Sequence, residues 1–156
     1  MIQATVRLTF PTALQFVVET GSGHKLIIDD LVGRTGPKPI ELMAAALAGC
    51  TAFDVVTILR SKKHKEVTAY DVSVEADQQP FPPQVFTEVR IHHAVTGDNI
   101  DPQSVEDAIK LSESKYCSVG AMLRASGAKI STTYSIHPIG AAASNDLDSE
   151  QRLAVA

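Results

Sequence analysis

One stretch limits what this chain can fold into more than any other. From Ile40 to Leu59 it carries only two charges, Glu41 and Asp54. A helix of that length spans about 30 Å, enough to cross a bilayer or to run through a core. The two charges, the Ala and Gly content, and the lack of a second such stretch favour a core helix in a soluble protein. Pro39 suits a first helical position and Glu41 a first turn, so residues 39–61 read as one helix. Apolar residues on nearly all sides predict burial on most of them. The small residues Ala44, Ala45, Ala46, Ala48 and Gly49 let another backbone come close. Arg60, Lys62, Lys63 and Lys65 gather at the far end, where cations complement the dipole and read as a solvated helix end.

The rest of the chain offers strands to cover such a helix. Period-2 alternation marks Ile2 to Leu8 and Leu14 to Val18, and after a turn at Thr20-Gly21-Ser22-Gly23 a third strand, Lys25 to Asp29, is built around Leu26-Ile27-Ile28. Residues 30–38 read as a loop. Two longer alternating runs, Val67 to Asp77 and Val85 to Thr96, are joined through Pro80, Pro82 and Pro83. Asp101-Pro102 is an N-cap followed by Pro at the first helical position. The polar run Ser112-Glu113-Ser114-Lys115 is expected to end that helix, and Cys117-Ser118 to begin another ending near Gly127. Lys129 to Ile136 is a last strand. The order β-β-β-α-β-β-α-α-β is an α+β pattern. At 156 residues the chain suits one domain, placed at 1–137, with an Ala-rich, loosely held tail at 138–156.

Composition removes several classes of function. Net charge is −4 and aromatics are 5%, so neither a phosphate-binding surface nor a base-stacking platform is expected. The N-terminus lacks the pattern of a signal peptide, which makes the cytoplasm the expected location and reduced thiols the expected state. The five His show no metal-ligand spacing, and His92 and His93 point to opposite faces of their strand. No Walker, dinucleotide or nucleophile-elbow motif occurs. These residues therefore point to no metal site. Two cysteines remain. Cys50 lies in the apolar helix and Cys117 at the start of a short one, where a dipole is expected to lower its pKa. Composition leaves two readings open, inert core thiols or a reactive pair that meets across a cleft.

Gly36-Pro37-Lys38-Pro39-Ile40-Glu41-Leu42-Met43-Ala44-Ala45-Ala46-Leu47-Ala48-Gly49-Cys50 resembles the first-cysteine segment of the OsmC/Ohr family. Ser114-Lys115-Tyr116-Cys117-Ser118-Val119 resembles its second-cysteine segment, and the element order fits from about residue 2 to 137. The resemblance implies an OsmC-like fold, with sheet wrapped around a long central buried helix in an intertwined homodimer. It implies cofactor-free reduction of organic hydroperoxides, Cys50 as the attacking cysteine, Cys117 as the resolving one, and an external dithiol as reductant. It also implies a carboxylate in the site, for which Glu41 is the candidate. Glu41 and Cys50 are nine residues apart, about 13–14 Å along one helix, so Glu41 reaches a thiol only from a partner chain packed antiparallel. Three positions depart from the pattern. The hairpin Glu19 to His24 has no Arg, leaving His24 or Lys25 as the substitute cation; Ile40 stands where many members have Glu; Ser118 stands where Pro is usual. A second reading on the same fold is a slow redox sensor or a binder of apolar ligands. Leu42, Met43, Leu47 and Phe53 are the residues expected to line an apolar approach to Cys50.

Overall fold

The computed structural model describes residues 1–9, 14–30 and 32–140, and the backbone of Gln151–Leu153. The expected tail lies outside the described residues except at 138–140 and that short strand. Helix α1 spans Pro39–Ser61 because both its ends are chemically marked. The Glu41 carboxylate accepts the backbone N–H of Lys38 at 2.8 Å and pairs with Lys38 Nζ at 3.7 Å. That is one half of a capping box. At the other end His64 adopts a left-handed backbone (φ 52°), and the Lys65 N–H reaches back to the Leu59 carbonyl at 2.9 Å. This closure ties off an otherwise orphaned carbonyl.

The chain divides into two compact units, Met1–Met43 and Ala44–Ala156. In the first, β1 (Ala4–Leu8), β2 (Phe16–Thr20) and β3 (Lys25–Ile28) form an antiparallel meander. Its loop toward α1 folds onto Asp29. This buried carboxylate accepts the Thr35 hydroxyl and the backbone N–H groups of Asp30 (2.8 Å) and Thr35 (3.1 Å). These bonds, the Thr35 hydroxyl foremost, hold its carboxyl below the usual range. All of β1 is exposed, including Val6 at 53% and Leu8 at 48%. Alternation over residues 2–8 predicts a buried face, but the described residues of this unit supply no second layer to cover it.

The second unit has a closed core. β4 (Glu66–Gln78) and β5 (Phe86–Asp98) pair antiparallel along nearly their whole length, with a register shift between Val67 and Ala69. β6 (Lys129–His137) lies parallel to β5, and β7 (Gln151–Leu153) is antiparallel to β6. A parallel neighbour needs a crossover, supplied by α2 (Pro102–Leu111), a π-helical turn (Ser112–Tyr116) and α3 (Ser118–Ala125). Asp101 caps α2, accepting the Ser104 N–H at 2.9 Å and the Lys65 ammonium at 2.7 Å. Val55, Ile58 and Leu59 of α1 pack with Val67, Val95 and Tyr134 of the sheet and with Val105, Ala108 and Ile109 of α2.

One expectation is corrected and another refined. The buried side chains of α1 are Leu47, Thr51, Val55, Ile58 and Leu59, a single stripe at helical spacing, while Phe53 is 80% exposed. One sheet and one helical layer cover one side of a helix, not all of it. By length and composition α1 is also apolar enough to cross a membrane. The polar run 112–115 ends α2 as an α-helix at Leu111, but the chain does not leave its helical path there. It continues as a wider turn, in which the Cys117 N–H bonds the Ser112 carbonyl at 2.8 Å.

Candidate thiol site

Cys50 sits on α1 beside the buried Thr51, with Asp54 one turn further on the same face. Cys117 is aimed by the π turn. Closing that ring one residue wider than an α turn swings the chain out of the helix at Cys117 (φ −70°, ψ 93°). Cys117 then becomes the N-cap of α3, and its sulfur accepts the Gly120 N–H at 3.3 Å. The fold thereby joins positions 67 residues apart. Cys50 Sγ, Cys117 Sγ and a carboxylate oxygen of Asp54 all lie within 4.8 Å of one another, and both thiols are free.

A buried hydroxyl pair holds Asp54 in place. Ser112 Oγ, fully buried, donates to Asp54 Oδ2 at 2.9 Å. Its one proton is thereby used, so the 3.4 Å contact with Thr51 Oγ1 has Thr51 as donor. Sequence reasoning missed Asp54, Ser112 and Thr51 as site residues. The available signal was a lone carboxylate four residues after Cys50 in an otherwise apolar helix.

The two sulfurs differ in environment. Cys50 is half-buried, whereas Cys117 is 4% exposed. Burial pushes the Cys117 thiol up to about 11, helped by Cys50 and Asp54 and opposed by the Gly120 N–H. The expected lowering by the helix dipole is corrected here: one N–H at the helix start does not offset desolvation beside two acidic neighbours.

Gly120 leaves room around Cys117. A Cβ there would stand 3.3 Å from Cys117 Sγ, 3.4 Å from Arg124 Nη1 and 3.6 Å from Leu47 Cδ1. Arg124 donates to the Glu113 carbonyl (3.3 Å) and pairs with its carboxylate (3.6 Å). A guanidinium carried by α3 therefore stands near the buried thiol. The cations singled out in the early hairpin have partners in the N-terminal unit: His24 Nδ1 with Ser22 Oγ at 3.0 Å, and Lys25 with Glu19 at 3.4 Å. Glu41 is engaged with Lys38 at the start of α1. Of the four apolar residues named for the approach to Cys50, Leu47 is buried at the site, while Met43 and Phe53 are exposed at 40% and 80%. A cavity of about 640 Å³ in the N-terminal unit is lined by Leu14, Phe16, Ile28 and Ile40, and by neither cysteine.

His93 lies in the core, its Nδ1 2.5 Å from Tyr70 Oη. His92 faces the other way, 2.8 Å from Thr133 Oγ1. No histidine joins the group formed by Cys50, Asp54 and Cys117.

The family model of OsmC-like proteins matches residues 32–133. The chain belongs to the OsmC-like family. Protein YhfA of Escherichia coli is 36% identical over 117 residues, covering 75% of this chain and 87% of that protein. The crystal structure of a hypothetical protein from Aquifex aeolicus matches with a TM-score of 0.78 at 25% identity, covering 88% of this chain and 97% of that one. An organic hydroperoxide resistance protein OsmC from Legionella pneumophila shares the fold, with a TM-score of 0.62, 16% identity, and coverage of 86% and 96%. The span matched by the OsmC-like model contains the whole thiol site, from Leu47 to Arg124.

Proposed function

We propose that the chain is a thiol-dependent peroxidase that reduces organic hydroperoxides through Cys50 and Cys117. One observation carries the reading: two free sulfurs from distant positions lie within 4.8 Å, one half-exposed and one buried. The Cys50 thiolate attacks the peroxide O–O bond and becomes a sulfenic acid, and the leaving alkoxide takes up the proton the Cys50 thiol gave up, departing as an alcohol. Cys117 attacks that sulfur, giving the Cys50–Cys117 disulfide and water. An external dithiol restores both thiols by exchange and supplies two electrons. Asp54 lies beside both sulfurs and relays the proton Cys117 must lose to the hydroxide leaving Cys50, while Ser112 keeps the carboxylate aimed. Leu47 supplies an apolar wall, and each substrate CH₂ buried is worth about 0.8 kcal/mol, which favours alkyl hydroperoxides over hydrogen peroxide. The fold shared with a protein described as providing organic hydroperoxide resistance agrees with this reading.

The working form in this reading is a cytoplasmic homodimer. Its support is apolar surface on each unit: Ile2, Val6 and Leu8 on the first, Phe53 on the second. Glu41 serves the site of the partner chain or only caps its own helix. Glu41→Gln slows the Cys50 reaction in the first case and leaves it unchanged in the second.

Consumption of cumene hydroperoxide with excess dithiothreitol tests the chemistry. Cys50→Ser is expected to lower the rate by more than about a hundredfold. Cys117→Ser is expected to complete one turnover and leave a sulfenic acid trapped by dimedone. Equal rates for wild type and Cys50→Ser overturn the reading, and faster turnover of hydrogen peroxide overturns the substrate class.

A further inference from the structure

The grouping of Cys50, Asp54 and Cys117 allows a second chemistry. We infer that the reduced chain binds one thiophilic divalent cation of the Zn²⁺ class through Cys50 Sγ, Cys117 Sγ and an Asp54 carboxylate oxygen, with a fourth position open to an exogenous ligand. The three donor atoms lie within 4.8 Å of one another. A tetrahedral zinc ion holds two sulfurs about 3.8 Å apart and a sulfur and an oxygen about 3.5 Å apart, from bond lengths of about 2.3 and 2.0 Å. The donors need to close by no more than about 1.3 Å, within reach of small side-chain rotations about fixed backbones.

A second observation points the same way. Ligating carboxylates are characteristically held in place by a hydrogen bond from an outer-shell partner. The Asp54 carboxylate accepts a hydrogen bond at 2.9 Å from Ser112 Oγ, a hydroxyl with no solvent exposure that is itself approached by Thr51. Cys117 is fixed in the same manner by the Gly120 N–H. The donor set selects the cation. Two sulfurs and one oxygen suit Zn²⁺ and Co²⁺ and disfavour Mg²⁺ and Ca²⁺, which require shells of six or more oxygens. Spacing in the sequence hides the site, because two ligands come from one helical turn and the third lies 63 residues beyond Asp54.

Occupancy and oxidation exclude each other, a coupling that rests on the peroxidase reading. A hydroperoxide and two protons convert the cation-bound dithiolate to a disulfide, an alcohol, water and the free cation. The two electrons pass from the sulfurs to the O–O bond.

Co²⁺ titrated into the fully reduced, metal-free chain is the test. The expected result is one Co²⁺ per chain, with a sulfur-to-cobalt charge-transfer band and tetrahedral d–d bands. Asp54→Asn is nearly isosteric and is expected to weaken binding at least about tenfold, as is Ser112→Ala. Octahedral bands without charge transfer, or Asp54→Asn binding as tightly as wild type, overturn the site. Binding is measured without peroxide, so its failure is separate from any failure of peroxidase activity. Adding cumene hydroperoxide to the Zn²⁺-loaded chain is expected to release one Zn²⁺ per disulfide formed; disulfide formation with the metal retained overturns the coupling.

Discussion

The two units carry the same kind of strand signal and use it differently. In Met1–Met43 the alternation of β1 leaves every residue of the strand exposed, whereas in Ala44–Ala156 the alternation of β5 buries Val89, Ile91, His93 and Val95. Periodicity therefore says which side chains share a face and nothing about whether that face has a cover. The thiol site, with its buried Ser112 clamp on Asp54, belongs to the unit whose sheet has a covered face.

The strongest way to break this comparison is to empty the closed core. Leu59→Ala is expected to destabilise the chain by about 2–5 kcal/mol, read from urea midpoints, because Leu59 is fully buried among α1, sheet and α2. A change under about 1 kcal/mol contradicts the described packing.

Acid comes next. Burial, with a lesser contribution from the nearby His92 charge, lowers His93 from its ordinary 6.5 to about 4. Between those values the unfolded chain takes up a proton that the folded chain refuses, so stability falls as pH drops from 6.5 toward 4. The full loss is about 3 kcal/mol. His93→Gln keeps a hydrogen-bonding group for Tyr70, and is expected to flatten that limb in urea titrations at pH 7 and pH 4.5. A steep limb that persists in the variant removes His93 as its cause. In the other unit Asp29 responds to stronger acid, since its stabilisation is complete above 3.8 and is lost as pH falls through its lowered value.

Smaller effects sharpen the contrast. Asp101→Ala removes the α2 cap and the partner of Lys65, and is expected to cost about 1 kcal/mol. Leu8→Ala, on the exposed β1, is expected to change the stability of an isolated chain by under about 0.5 kcal/mol. A loss near that of Leu59→Ala, growing with protein concentration, means that a second copy covers β1.

Much of the fold was legible because its boundaries are chemical. Pro39 and Glu41 mark the start of α1, and Asp101-Pro102 marks the start of α2. Both long strands were placed to within two residues at either end. The two cysteines were legible through the family's motifs. What escaped depends on tertiary partners. Ser112 reads as a helix-ending polar residue, yet burial beside Asp54 and Thr51 makes it the hinge of the site. The thiol of Cys117 reads as activated by a helix start, yet the side chains packed around it decide its proton affinity. The parallel pairing of β5 with β6 has no local signature at all.

The wide turn at Ser112–Tyr116 makes the meeting of the sulfurs a matter of phase. Each residue of an α-helix turns the chain by about 100°. Trimming that turn by one residue would leave helices and strands able to form while dialling Cys117 away from Cys50 like a cog slipped by one tooth. Substitutions on the surface of this turn leave that phase intact, but a change in its length does not.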